Sequence, residues 1–224
     1  MKKILLTVFL ICGIVLFLSA QSPDQNSGVI RELTGDVEIK PAGTSAFVSA
    51  KAGDAVAIET VVSTGFKSTA IIEAGSSMIM VRPLTRLSLS EIQKTSNTEN
   101  LNMNLQTGRI KVDVKPPAST AVNFTVKSPS ATASVRGTSF EFDTKNLKVF
   151  EGKVLFFGKS GLAMMIPAGS GSFVDNDGNA MDPAKVFAAG LTPPPPVGSD
   201  SQAGSPGDLL QPALGQFSIP LIYE

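Results

Sequence analysis

Histidine and tryptophan are absent from the sequence, which also holds a single tyrosine, Tyr223, and a single cysteine, Cys12. Without histidine the chain lacks the usual general base near neutral pH and the commonest metal ligand. A histidine-dependent triad and a histidine-ligated metal site are thereby excluded. One cysteine excludes an intrachain disulfide and any cysteine-rich zinc site. An excess of either charge is missing too: 19 basic residues balance 19 acidic ones, and charged residues make up only 17% of the chain. That balance fits neither a basic nucleic-acid binder nor an acidic disordered protein. Nothing in this composition calls for a cofactor or for catalysis.

What is present sorts into segments of different character. The length of 224 residues allows one ordinary domain with a tail. Lys2 and Lys3 precede an almost unbroken apolar run from Ile4 to Leu18, followed by Leu18-Ser19-Ala20 and the polar Gln21-Ser22-Pro23-Asp24. This is the three-part layout of a secretory signal, with cleavage expected after Ala20. The run falls short of the roughly 20 residues that a spanning helix needs. The expected location is therefore outside the cytoplasm, in the periplasm or at the cell surface. The alternative is an uncleaved segment that anchors the protein to the inner membrane, which would be its sole membrane contact. Cys12 lies inside the run and needs no role beyond that of a small hydrophobe.

At the other end, residues 191–224 contain no Lys or Arg, and Pro193-Pro194-Pro195-Pro196 leads into Gly, Ser, Asp and Gln. Four prolines enforce an extended segment without sheet donors, so this stretch reads as a disordered or semi-rigid tail. Its last part, Phe217-Ser218-Ile219-Pro220-Leu221-Ile222-Tyr223, is apolar again. Three readings stay open for it: folding back onto the domain edge, binding a partner as a peptide, or disorder.

Between these ends the pattern is β. Ile110 to Lys115, Ser139 to Asp143 and Val37 to Lys40 alternate apolar with polar residues, as strands with one buried face require. Thr69 to Glu73 and Met78 to Val81 flank Gly75-Ser76, a hairpin-type turn. The expected fold is all-β, with many short strands in hairpins forming a sandwich, barrel or solenoid-like domain. One short helix is expected from Pro183, with Asp182 as its N-cap. Met78, Met80, Met103, Met164 and Met165 lie in apolar runs and are expected to fill the core. A local device recurs at Gly35-Asp36-Val37, Gly108-Arg109-Ile110 and Gly152-Lys153-Val154. In each, a glycine able to adopt positive φ releases the chain into a strand.

These glycine-started strands sit in an ordered series. Ala52-Gly53-Asp54-Ala55-Val56 leads to Val62-Ser63-Thr64-Gly65-Phe66-Lys67-Ser68-Thr69-Ala70. Next come Ile79-Met80-Val81-Arg82-Pro83-Leu84-Thr85-Arg86-Leu87 and Leu105-Gln106-Thr107-Gly108-Arg109-Ile110. Phe124-Thr125-Val126-Lys127-Ser128-Pro129 and Val135-Arg136-Gly137-Thr138-Ser139-Phe140 close the series. Over residues 53–157 it resembles the FecR domain, the periplasmic module named after the iron-citrate sensing regulator. The resemblance implies an all-β extracytoplasmic domain that acts by protein contact and has no catalytic residues. Only Met1-Lys2-Lys3 precede the apolar run, too little for the cytoplasmic anti-sigma segment of those regulators. The expectation is a stand-alone exported FecR-domain protein, and the iron-signalling role is not carried over.

The segments are thus a signal peptide (1–20), a short linker (21–28) and a FecR-like β domain (29–158). An additional hairpin with a short helix (159–190) and the Pro/Gly/Ser-rich tail (191–224) follow.

The family motif supplies the possible interface: Val135, Arg136, Gly137, Thr138 and Phe140. It carries two readings. In the architectural one, Gly137 makes a bulge or close approach, Thr138 restarts the strand, and Arg136 caps a carbonyl or pairs with an acid. In the functional one, Arg136 anchors a partner. Asp175, Asp177 and Asp182 resemble the beginning of a calcium loop, although Asn176-Asp177-Gly178 is also an ordinary turn and the later bidentate Glu is missing. Lys67-Ser68, Lys127-Ser128 and Lys159-Ser160 invite a Ser–Lys dyad, but adjacent strand residues face opposite sides. The leading expectation is a non-catalytic binding or scaffolding module of the bacterial envelope, whose partner is another envelope protein or a cell-wall component. A structural, surface-associated protein spaced by its tail is the alternative.

Overall fold

A computed structural model describes residues 27–188. The expectations for the signal segment with Ala20 and Cys12, and for the Pro-rich tail, lie outside the described residues. Seventeen strands follow in chain order. The first six are β1 Gly28–Thr34, β2 Val37–Lys40, β3 Val48–Ser49, β4 Ala55–Val56, β5 Val61–Thr64 and β6 Thr69–Ala74. Next are β7 Ser77–Val81, β8 Arg86–Lys94, β9 Thr98–Thr107, β10 Arg109–Val114, β11 Ala121–Lys127 and β12 Ala131–Val135. The last are β13 Ser139–Asp143, β14 Asn146–Glu151, β15 Lys153–Gly158, β16 Ala163–Pro167 and β17 Gly171–Phe173. One helix, α1, spans Pro183–Ala188. The described residues are therefore nearly all-β, with 58% strand against 4% helix.

The strands form two open sheets. The first runs β17-β14-β13-β10-β7-β6-β1-β4, the second β16-β15-β12-β11-β9-β8-β5-β2-β3. Both orders rise almost monotonically, so the chain walks from one end of a sandwich to the other, laying hairpins alternately on each sheet. The parallel pair β9–β11 arises because β10 crosses to the opposite sheet between them. Inner faces alternate strictly: Phe140 and Phe142 in β13, and Phe124 in β11, are fully buried. The sheets meet in one apolar cluster. Its middle holds two edge-to-face ring pairs across the layers, Phe124–Phe140 at 6.2 Å and Phe142–Phe156 at 6.1 Å. Edge-to-face geometry at this spacing adds attraction beyond apolar burial.

Two expectations need correction. Residues beyond 158 do not pair as one extra hairpin: β16 joins β15 in the second sheet and β17 joins β14 in the first. The methionines are also not uniformly core. Met103 is buried, whereas Met78 and Met165 are 42% and 55% exposed. Strand alternation turns them outward while Ile79 and Ile166 face in. The helix forms where expected, with Ala184 N–H donating to Asp182 Oδ1 at 2.9 Å in an N-cap.

Candidate functional site: the motif crossover and the groove beside it

The chain crosses between sheets at several points, and at three of them a buried hydroxyl ties the crossing to a glycine-started strand. Ser68 Oγ accepts from Asp36 N–H at 2.8 Å. Thr85 Oγ1 accepts from Arg109 N–H at 2.9 Å and donates to the Arg109 carbonyl at 3.0 Å. Thr138 Oγ1 donates to the Lys153 carbonyl at 3.1 Å. Opposite each hydroxyl sits Gly35, Gly108 or Gly152, at φ of 74°, 84° and 76°. A Cβ at Gly35 would lie 2.5 Å from Ser68 Oγ, and one at Gly152 2.7 Å from the Gly137 carbonyl oxygen. The recurring device is thus a close-packed clasp between sheets as well as a turn.

The Val135–Thr138 motif is one of these crossings, from β12 in the second sheet to β13 in the first. Val135, Thr138 and Phe140 are buried, whereas Arg136 and Gly137 are exposed. Gly137 has φ 152°, and a Cβ there would touch only the Pro116 ring, at 3.3 Å. The tighter approach is at Gly152, which receives the Gly137 carbonyl. The motif therefore splits by position. Val135, Thr138 and Phe140 build the fold. Arg136 neither caps a carbonyl nor pairs with an acid among the described residues, so that part of the architectural expectation does not hold. Thr138→Val should remove the buried hydroxyl bond and cost about 1–2 kcal/mol. Thermal melting checks it, with capture of partners by the exposed surface unchanged.

Arg136 lines a groove of about 750 Å³ on the second sheet. Its walls come from β11, β12, β15 and β16, through Asn123, Thr125, Ser134, Lys153, Leu155 and Met165. Strand register explains the assembly. Asn102, Thr125, Ser134, Leu155 and Met165 are successive cross-strand partners from β9 to β16. The row is polar at one end, where Thr125 and Ser134 hydroxyls lie 3.0 Å apart, and apolar at the other. Leu155 is 36% and Met165 55% exposed. Two cations and no acid line the groove.

The remaining expected sites resolve into architecture. Asp175 Oδ1 accepts from Asp177 N–H at 3.0 Å and Asn179 N–H at 2.8 Å. The Asn179 bond, above all, holds the Asp175 carboxyl below the usual carboxylate range. Its charge is spent on the turn, and Asp182 caps α1. Among the described residues no group of three or more acids, histidines or cysteines could hold a metal ion, so the geometry does not assemble Asp175, Asp177 and Asp182 into one site. Ser68 is a clasp hydroxyl, and Ser128 Oγ donates to the Thr144 carbonyl at 2.8 Å.

Two features escaped the sequence. Glu99, 1% exposed, caps the Gly75-Ser76 turn, accepting from Ser76 N–H at 2.8 Å and Ser76 Oγ at 2.9 Å. Arg109, 3% exposed, lies 2.9 Å from Glu141, with Arg82 3.9 Å away on the same carboxylate. A partly buried cluster of this kind fixes geometry more than it adds stability.

The crossings, clasps and groove fall largely within residues 60–155, which match the family model described as FecR protein. The chain contains a FecR domain. The family model starts in the turn before β5 and ends within β15, so the FecR domain includes Arg136 and most of the groove, while Met165 lies beyond it. Comparison with curated proteins finds no match. Two crystal structures of a candidate anti-sigma factor from Parabacteroides distasonis ATCC 8503, at 1.65 and 2.50 Å resolution, are similar at 18% identity. The alignments cover 58% and 57% of this chain and 63% and 62% of those, each with a TM-score of 0.44. The chain thus spans less than two thirds of either.

Proposed function

We propose that the protein is an exported, non-catalytic binding module of the bacterial envelope, whose FecR domain engages another envelope protein or a cell-wall component through the groove beside Arg136. The observation that carries this reading is the exposed Arg136, which has no ion-pair partner among the described residues and lines a groove. Arginine there has a charge to offer, and Leu155 and Met165 supply apolar area in the same groove, the combination favoured at interface anchors. A groove of about 750 Å³ suits a peptide or glycan strand, or the centre of a wider contact.

Export rests on the sequence layout of residues 1–20. Sequencing the N-terminus of the protein recovered outside the cytoplasm should give Gln21. A form still carrying Met1 would replace export by anchorage. Function is tested by using the exported protein as bait in envelope extract. One dominant stoichiometric partner supports the binding module, whereas insoluble retention with wall material favours the structural, tail-spaced alternative.

A further inference from the structure

Among the described residues, strand β16 is paired on one side only. Its register with β15 runs from Lys153↔Pro167 to Phe157↔Ala163, and no described strand lies beyond it in the second sheet. One bond just outside the strand fixes the phase of its ladder: Ala168 N–H donates to the Gly152 carbonyl at 3.0 Å. Antiparallel ladders alternate bonded with non-bonded pairs. Continued from Gly152–Ala168 in the same register, Ile166 and Met164 turn their backbone groups to β15. Ala163, Met165 and Pro167 turn theirs outward. Pro167 has no N–H, and Gly161 N–H is already given to the Gly158 carbonyl at 3.2 Å. The open edge therefore offers the N–H and C=O groups of Ala163 and Met165.

Sheet edges are normally blunted by short strands, charges or a covering element. The other edges comply: β3 and β4 have two residues each, and β17 has three, with α1 packed against it. β16 has five residues, and Ser160 to Pro167 carries no charge. Leu162 and Met165 are 66% and 55% exposed along it. Such an edge is complementary to itself. Under a two-fold rotation about Met164, Ala163 faces Met165 of a second copy and Met165 faces the second copy's Ala163. Every outward donor then meets an acceptor, and a large side chain lies opposite a small one on the same face. No charge opposes the approach, and none along the edge selects a partner of opposite sign.

We infer that β16 pairs antiparallel with β16 of a second copy, joining the two second sheets into one continuous sheet. Pairing stops at Pro167 and the other edges are too short to extend it, so the dimer is closed. Because Met165 also lines the groove, the two grooves come to lie on one shared face. The pairing itself is independent of what the groove binds.

The test is the sedimenting mass of the full chain over a dilution series, with exchange of individual amides followed by NMR. The mass should be that of a dimer at high concentration and halve on dilution, and the Ala163 and Met165 amides should exchange more slowly in the dimer. Met165→Pro removes an outward donor and leaves the β15 ladder intact, as an edge position tolerates. It should sediment as a monomer throughout, with the melting curve of the dilute unaltered protein. Met164→Pro deletes a bond to β15 and should lower Tm; if the two proline variants melt alike, the assigned phase is wrong and the inference falls with it. An unaltered protein that is monomeric throughout overturns it, as does a dimer that survives Met165→Pro or a mass that grows past two copies. Protection of the two amides in a monomer, or only after envelope extract is added, gives the edge to the same chain or to a partner's strand and overturns it equally. Capture through Arg136 tests the groove separately.

Discussion

Gly108→Val is expected to destabilise the protein by about 3–5 kcal/mol, lowering Tm by roughly 10 °C. A Cβ at this position would lie 2.6 Å from the Leu84 carbonyl oxygen and closer still to Thr85. These neighbours are backbone and a buried hydroxyl, so no flexible side chain can yield. The residue also holds φ 84°, which a β-branched side chain resists. Two costs therefore add: strain, and separation of the sheets at the Thr85–Arg109 clasp. Gly43→Ala separates them. Gly43 has φ 73° with open space around it, so only the strain term applies, about 1 kcal/mol. Denaturant unfolding of both variants measures the difference. Equal losses would mean that the clasp contributes nothing beyond its dihedral angle.

Phe142→Ala should be comparably severe, about 3–5 kcal/mol. The Phe142 ring is fully buried and meets Phe156 of the opposite sheet edge-on at 6.1 Å. Removing it opens a cavity between layers whose backbones are held by two sheets of hydrogen bonds and cannot collapse. Phe150→Ala is the comparison. That ring is 39% exposed and lies under the Lys111 and Lys148 ammonium groups, at 5.2 and 5.4 Å, so its loss should cost under about 1 kcal/mol. Calorimetric melting should separate the two clearly.

Local alternation made much of this fold legible. Ser139 to Asp143 announces β13 because its period of two needs no knowledge of the partner strand, and Gly75-Ser76 marks the β6–β7 turn for the same local reason. The FecR series likewise extended across the right elements. What stayed hidden was long-range. Glu99 is 23 residues from the turn it caps, and Thr85 lies 24 residues from its clasp partner Arg109. Neither separation leaves a periodic trace. The methionine expectation failed because an apolar run in an open sheet has two faces, and Met165 belongs to the outer one. The motif itself was half legible. Glycine and threonine betray a crossing, but only the fold shows Arg136 without a partner among the described residues, while register brings Ser134, Leu155 and Met165 into one cross-strand row.

That separation of architecture from surface is the claim most open to direct test. Arg136→Ala and the unaltered protein should be melted side by side and then used as bait in the same envelope extract. The account predicts superimposable melting curves, because an exposed guanidinium without a partner among the described residues contributes about 0–1 kcal/mol, together with loss of the captured partner. Capture at undiminished strength by Arg136→Ala would contradict it and return the whole Val135–Thr138 element to architecture.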